Sequence, residues 1–135
     1  MIRSVLAVVA GIAALTVTSF AIEALADPLL MRLFPQALPT RAAISQNLQA
    51  SLFMFAYTAL CIAFGGYVTA WIARRSPVRH ALVMGVLQTG LTVLAMFSLK
   101  EQAPLRNWIV ALALTIPCAW AGGALGGAAW RWRES

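Results

Sequence analysis

The stretch ASLFMFAYTALCIAFGGYVTAWIA, Ala50 to Ala73, contains no charged residue and no proline, and it is closed abruptly by Arg74-Arg75-Ser76-Pro77. A helix needs roughly 18 to 20 apolar residues to cross a bilayer core of about 30 Å, and this segment supplies them. Working outward, charge-free runs of similar reach occur at Ser4 to Ile22, Ala81 to Leu99 and Asn107 to Trp130. The whole chain of 135 residues is 61% hydrophobic and only 10% charged, with a mean hydropathy of +0.82, far from the balance of a water-soluble domain. In lipid the backbone must satisfy its own hydrogen bonds, and long runs without alternation fit helices rather than barrel strands. The expected fold is therefore all-α, a polytopic four-helix bundle in one domain. Its spans fall at about 4–26, 50–74, 80–99 and 107–131, with an outer interfacial loop over 27–49.

The boundaries come from local chemistry. Asp27-Pro28 is expected to end the first span, because proline disfavours helical backbone in the residue before it. Leu29, Leu30, Met31, Leu33 and Phe34 are too apolar for a free aqueous loop and are placed in the interface. Thr40 is the expected N-cap of the next helix, which would begin with a polar extension from Arg41 to Gln49. Ser76-Pro77 and Pro104 close the remaining turns, so spans two, three and four must run up and down as neighbours. The amino terminus, MIRS followed by an apolar run and EALAD, resembles a secretory leader with a cleavage site at Ala24-Leu25-Ala26. Its apolar run from Val5 to Ile22 exceeds the usual 7 to 15 or so residues, and an uncleaved first span is expected.

The formal net charge is +6. In a soluble protein that would suggest nucleic acid, but here the charges must first be sorted by side, and no nucleic-acid partner is expected. Four spans put both termini on one side with Arg3, Arg74, Arg75, Arg79, Arg131 and Arg133. The other side receives Arg32, Arg41, Lys100 and Arg106. The richer side is expected to be cytoplasmic, and Arg74, Arg75, Arg79, Arg131 and Arg133 are assigned to topology and to anionic lipid headgroups. Trp130 and Trp132 fall where an interfacial aromatic belt belongs.

Small residues dominate two spans. Gly122-x-x-x-Gly126 and Gly123-x-x-x-Gly127 overlap in span four, and span two carries Gly65-Gly66 within a ridge of Ala59, Ala63, Gly66, Ala70 and Ala73. Lipid tails are as apolar as leucine, so membrane helices associate by close packing over such grooves. One frame would serve the bundle, leaving the second for another membrane subunit or a second copy of the chain. Cys61 with Gly65-Gly66 and Cys118 with Gly122-Gly123 repeat at one spacing, which reads either as a duplicated helical hairpin or as chance likeness between two Gly- and Ala-rich helices. The glycines do not form a phosphate loop, which would need a Lys-Ser/Thr ending and a preceding strand.

Glu23 is the one acidic residue inside a span, and intramembrane carboxylates are costly enough to count as functional candidates. Arg41, Arg106 and Lys100 are its expected partners. Ser19 and Glu23 on span one, with Gln88 and Thr92 on span three, form a candidate polar pathway. Tyr57, Thr58 and Thr115 lie in the outer halves of spans two and four. Cys61 and Cys118 read as small buried hydrophobes, and His80 lies too far from them to complete a metal site. No cofactor, metal or catalytic group is expected.

GGYVTAWIARRSPVRHALVMGVL, Gly65 to Leu87, resembles the central hairpin of small uncharacterised bacterial four-helix membrane proteins. Gly65, Gly66, Tyr67, Arg74, Arg75, His80 and Gly85 carry the likeness. It implies the same fold and no chemistry; a bacterial inner-membrane location is expected. The expected role is a non-catalytic accessory or scaffold subunit, or a homo-oligomer. The alternative is a small ion- or solute-conducting protein using Glu23 and Gln88.

Overall fold

A computed structural model describes residues 1–135. It contains five helices and no strand: α1 (Ile2–Leu33), α2 (Arg41–Gln46), α3 (Leu48–Ala73), α4 (Pro77–Leu99) and α5 (Leu105–Glu134). All but α2 are long and apolar enough to cross a membrane. Only 26 of 135 residues are buried, while Val9, Phe20, Leu60, Phe64, Leu94 and Leu125 face outward. Such an apolar perimeter is the arrangement lipid demands and water penalises. The class is therefore an all-α, multi-pass integral membrane bundle, as the charge-free runs require.

The helix of the first span does not end at Ala26. α1 passes through Pro28 and continues to Leu33, where the Phe34 amide closes the last turn on the Leu30 carbonyl at 2.9 Å. Proline removes one rung of the ladder without forbidding the turns beyond it. Burial holds the extra turns: Leu30 and Met31 pack on a small outer cluster of Leu38, Ile44 and Ala50. Those side chains were expected in an interfacial loop and are helical instead.

The polar extension of span two is likewise a separate element. Thr40 caps α2, its Oγ1 accepting from the Ala43 amide at 3.3 Å. The chain then breaks at Asn47, which is extended, and whose Oδ1 accepts from the Gln49 and Ala50 amides at 3.0 and 3.1 Å to start α3. These two bonds satisfy donors that a helix start leaves orphaned. Asn47→Ala is expected to lower unfolding free energy by about 1 kcal/mol, read from denaturant titration in detergent, with no change in helix content beyond the first turn of α3.

Between α3 and α4 the chain turns within three residues. Arg74 and Ser76 both adopt positive φ, 58° and 49°, and Pro77 occupies the first turn of α4, where its missing N–H is not needed. His80 Nδ1 lies 3.0 Å from the Ser76 carbonyl, to which its Nδ1–H tautomer donates. The helices alternate up and down. α3 and α5, parallel to each other, share the most extensive interface, α1 packs on α3 and α4, and α1 and α5 stand on opposite sides of the bundle. The core is Val8, Leu15, Tyr57, Cys61, Ile62, Met84 and Ala119.

Candidate functional site

The half of the bundle nearer the two termini, the inner half in the orientation expected from the charges, is a solid seam. A methyl group at Gly66 would stand 2.6 Å from the Ala119 carbonyl oxygen, and one at Gly122 would overlap the Ala63 carbonyl. The two contacts are reciprocal between α3 and α5. They pair Gly66 with Ala119 and Gly122 with Ala63. Gly126 continues the seam, its missing methyl 2.8 Å from both the Ala70 Cβ and the Tyr67 carbonyl.

The second frame is also occupied within the chain. Gly123 faces Ala81 and Val78 of α4, and Gly127 faces the Pro77 ring at 2.7 Å from where a Cβ would stand. Gly65 abuts the Gly11 carbonyl of α1 at 2.8 Å by the same measure, and Gly11 leaves room for the Thr69 hydroxyl. This corrects the expectation of a spare small-residue face: Gly122 and Gly126 serve α3, while Gly123 and Gly127 serve α4. Glycine faces on adjacent sides of one helix let it meet two neighbours at once.

Basic residues gather at the end that holds both termini. Arg3 donates through Nε to the Ile72 carbonyl at 3.0 Å, tying α1 to α3. The Arg74 guanidinium lies 4.4 Å from the centre of the Trp130 ring, a cation–π contact joining the α3–α4 turn to the end of α5. Arg75, Arg79, Arg131 and Arg133 are exposed around them.

The opposite end opens instead of sealing. A cavity of about 730 Å³ extends between α1, the start of α2, α3 and the α4–α5 turn. Beside it a second cavity of about 620 Å³ shares Phe20, Glu23, Asp27 and Arg41 with the first. Arg41 lies at the boundary. Its Nη2 donates to Glu23 Oε2 at 3.0 Å and its Nε meets Asp27 Oδ2 at 2.7 Å. Glu23 and Asp27 are four apart on α1, so one guanidinium bridges two carboxylates on one helix face. Of the partners expected for Glu23, the structure selects Arg41, which Glu23 shares with Asp27.

Arg106 donates to the Gln46 carbonyl at 2.6 Å. Next to it, Asn107 Nδ2 donates to the Ser45 carbonyl at 2.7 Å and contacts Ser51 Oγ at 3.4 Å, while Ser51 Oγ donates to that same Ser45 carbonyl at 2.9 Å. Asn107 and Ser51 are 4% and 0% exposed. They pin the start of α5 to the α2–α3 break and hold the cavity wall in place.

The four residues of the expected polar pathway do not converge. Glu23 lines the outer cavities, whereas Ser19, Gln88 and Thr92 line neither. Thr92 donates to the Gln88 carbonyl of its own helix at 2.9 Å, and Gln88 Oε1 is buried without a partner. Of Tyr57, Thr58 and Thr115, the first two line the cavity together with Ser45, Asn107 and Trp108, whereas Thr115 donates to the Ala111 carbonyl of its own helix. Asn107 and Trp108 carried no signal of their own, since each is a single residue at the start of an apolar run. The Glu23-x-x-x-Asp27 spacing was the readable clue.

No protein-family model, curated protein or solved structure matches the chain.

Proposed function

We propose that the protein is a non-catalytic accessory subunit of a bacterial inner membrane, with both termini cytoplasmic and its working end on the outer side. The observation that carries this reading is the division of the bundle into a glycine-sealed inner half and an outer half that opens around Glu23, Asp27 and Arg41. Because both glycine frames of α5 are engaged within the chain, partners meet the protein at its outer end or along its lipid-facing flanks. Orientation follows from the excess of Arg at the end holding both termini, concentrated in the short α3–α4 turn where positive charge retains a segment most effectively. Basic side chains there also suit anionic headgroups. The conducting alternative loses support, since of its two named residues only Glu23 borders the cavity.

The test is gentle extraction from native membranes followed by native mass measurement. The expected result is a particle containing other polypeptides at fixed ratio to this chain. A particle built from this chain alone, in one copy or several, overturns the accessory reading.

A further inference from the structure

The end that holds both termini carries Arg3, Arg74, Arg75, Arg79, Arg131 and Arg133 against a single carboxylate, Glu134. The fold divides these arginines by use. Arg3 donates to the Ile72 carbonyl and Arg74 covers the Trp130 ring, so both spend their guanidinium inside the chain. The ion pairs of the protein belong to Arg41 at the opposite end, and among arginine side chains only Arg3, Arg41 and Arg106 donate hydrogen bonds. Arg75, Arg79, Arg131 and Arg133 are exposed and unpartnered. Packing concentrates three of them. Gly127 of α5 meets the Pro77 ring and Gly123 meets Val78 and Ala81, which lays the last turns of α5 along the start of α4. Arg75 and Arg79 flank Pro77 in the chain, and Arg131 stands one helical turn beyond Gly127 on the same face of α5.

We propose that Arg75, Arg79 and Arg131 form a corner that binds the phosphodiester of an anionic phospholipid drawn from the surrounding leaflet. Guanidinium forks match phosphate oxygens two at a time, and three forks with no carboxylate to share leave a positive field. A zwitterionic headgroup brings its own ammonium into that field, which weakens its hold, so the corner selects an anionic lipid over phosphatidylcholine although both carry phosphate. The level of the corner favours a lipid over a soluble polyanion. Trp132 is 82% exposed between Arg131 and Arg133, and Trp71 is 44% exposed near the end of α3, where amphipathic rings meet the headgroup layer. Arg74 holds the α3–α4 turn against α5, so the corner is assembled before the lipid arrives. The proposal deepens and rests on the assignment of this end to anionic headgroups. It is tested on the isolated chain, so its failure is separate from failure of the accessory role, which is read from particle composition.

The experiment is native mass spectrometry of the full chain in a non-ionic detergent, titrated with dioctanoyl phosphatidylglycerol or with dioctanoyl phosphatidylcholine. Each basic residue beside an anionic headgroup contributes about fivefold in affinity, so the first phosphatidylglycerol should bind about tenfold or more tighter than the first phosphatidylcholine. The double variant Arg75→Gln, Arg131→Gln should lose most of that preference. Arg32→Gln, Lys100→Gln removes the same charge from the opposite end and should keep it. Both pairs should melt with the parent, since none of the four side chains forms a hydrogen bond or ion pair within the chain. Equal affinity of the parent for the two lipids overturns the proposal. So does an equal loss in the two double variants, which would reduce the preference to net charge. Displacement of phosphatidylglycerol by an equimolar amount of inorganic phosphate would make the corner a free-anion site and overturns the assignment to lipid.

Discussion

Gly122→Leu is expected to abolish the folded state in detergent, lowering unfolding free energy by about 4 kcal/mol or more, whereas Gly90→Leu on α4 leaves it unchanged or slightly higher. A Cβ at Gly122 collides with the backbone of Ala63, which cannot rotate away, and overpacking against backbone belongs to the short set of changes that reach this size. Nothing lies within 4 Å of a Cβ built at Gly90, so there the only effect is the gain in helix propensity, about 0.8 to 1 kcal/mol. Unfolding followed by circular dichroism on the isolated chain compares the two directly. Were the Gly122 face a dock for a partner, the isolated variant would fold as well as the parent. Equal stability of the two leucine variants would therefore refute an internal seam.

Met84→Ala should cost about 2 kcal/mol in the same measurement. Met84 is fully buried, clustered with Leu15, Cys61 and Ala119 where α4 meets the other three helices. Large-to-small core changes in water cost about 2 to 5 kcal/mol, a sum of lost transfer energy and the void left behind. Within a bilayer the transfer part largely disappears, because lipid is as apolar as the core, and the void remains. That places the expectation at the lower edge of the range. Met54, partly buried at the margin of the core and already bordering the outer cavity, supplies the contrast. Met54→Ala enlarges an existing opening and should cost well under half as much. A larger loss at Met54 than at Met84 would place the packing centre in the outer half and contradict the division of the bundle.

The membrane reshapes familiar energetics in both cases. Here large side chains point outward and the smallest line the seams, so stability is governed by how closely backbones approach rather than by apolar area removed from water. The same logic accounts for the outer end. There the chain breaks at Asn47 and turns before Pro104, backbones separate, and the space between them is bordered by Glu23, Asp27, Arg41 and Glu101.

The spans, their number and their alternation were legible in the sequence, because a bilayer imposes a length on apolar runs and proline and charge close them. The Thr40 cap and the Ala63, Gly66, Ala70 ridge were legible for the same kind of reason, being set by local spacing. Asp27-Pro28 misled, since the helix beyond it is held by Leu30 and Met31 packing on residues that arrive later in the chain. Asn47 was hidden within a polar run that looked continuous, and only its side-chain bonds reveal it as the start of α3. Which glycine meets which helix, and that Asn107 and Trp108 line one cavity with the carboxylates of α1, only the tertiary structure decided. A pattern along one helix fixes which face is small or polar, but the partner of that face is set by crossing geometry between elements far apart in the chain.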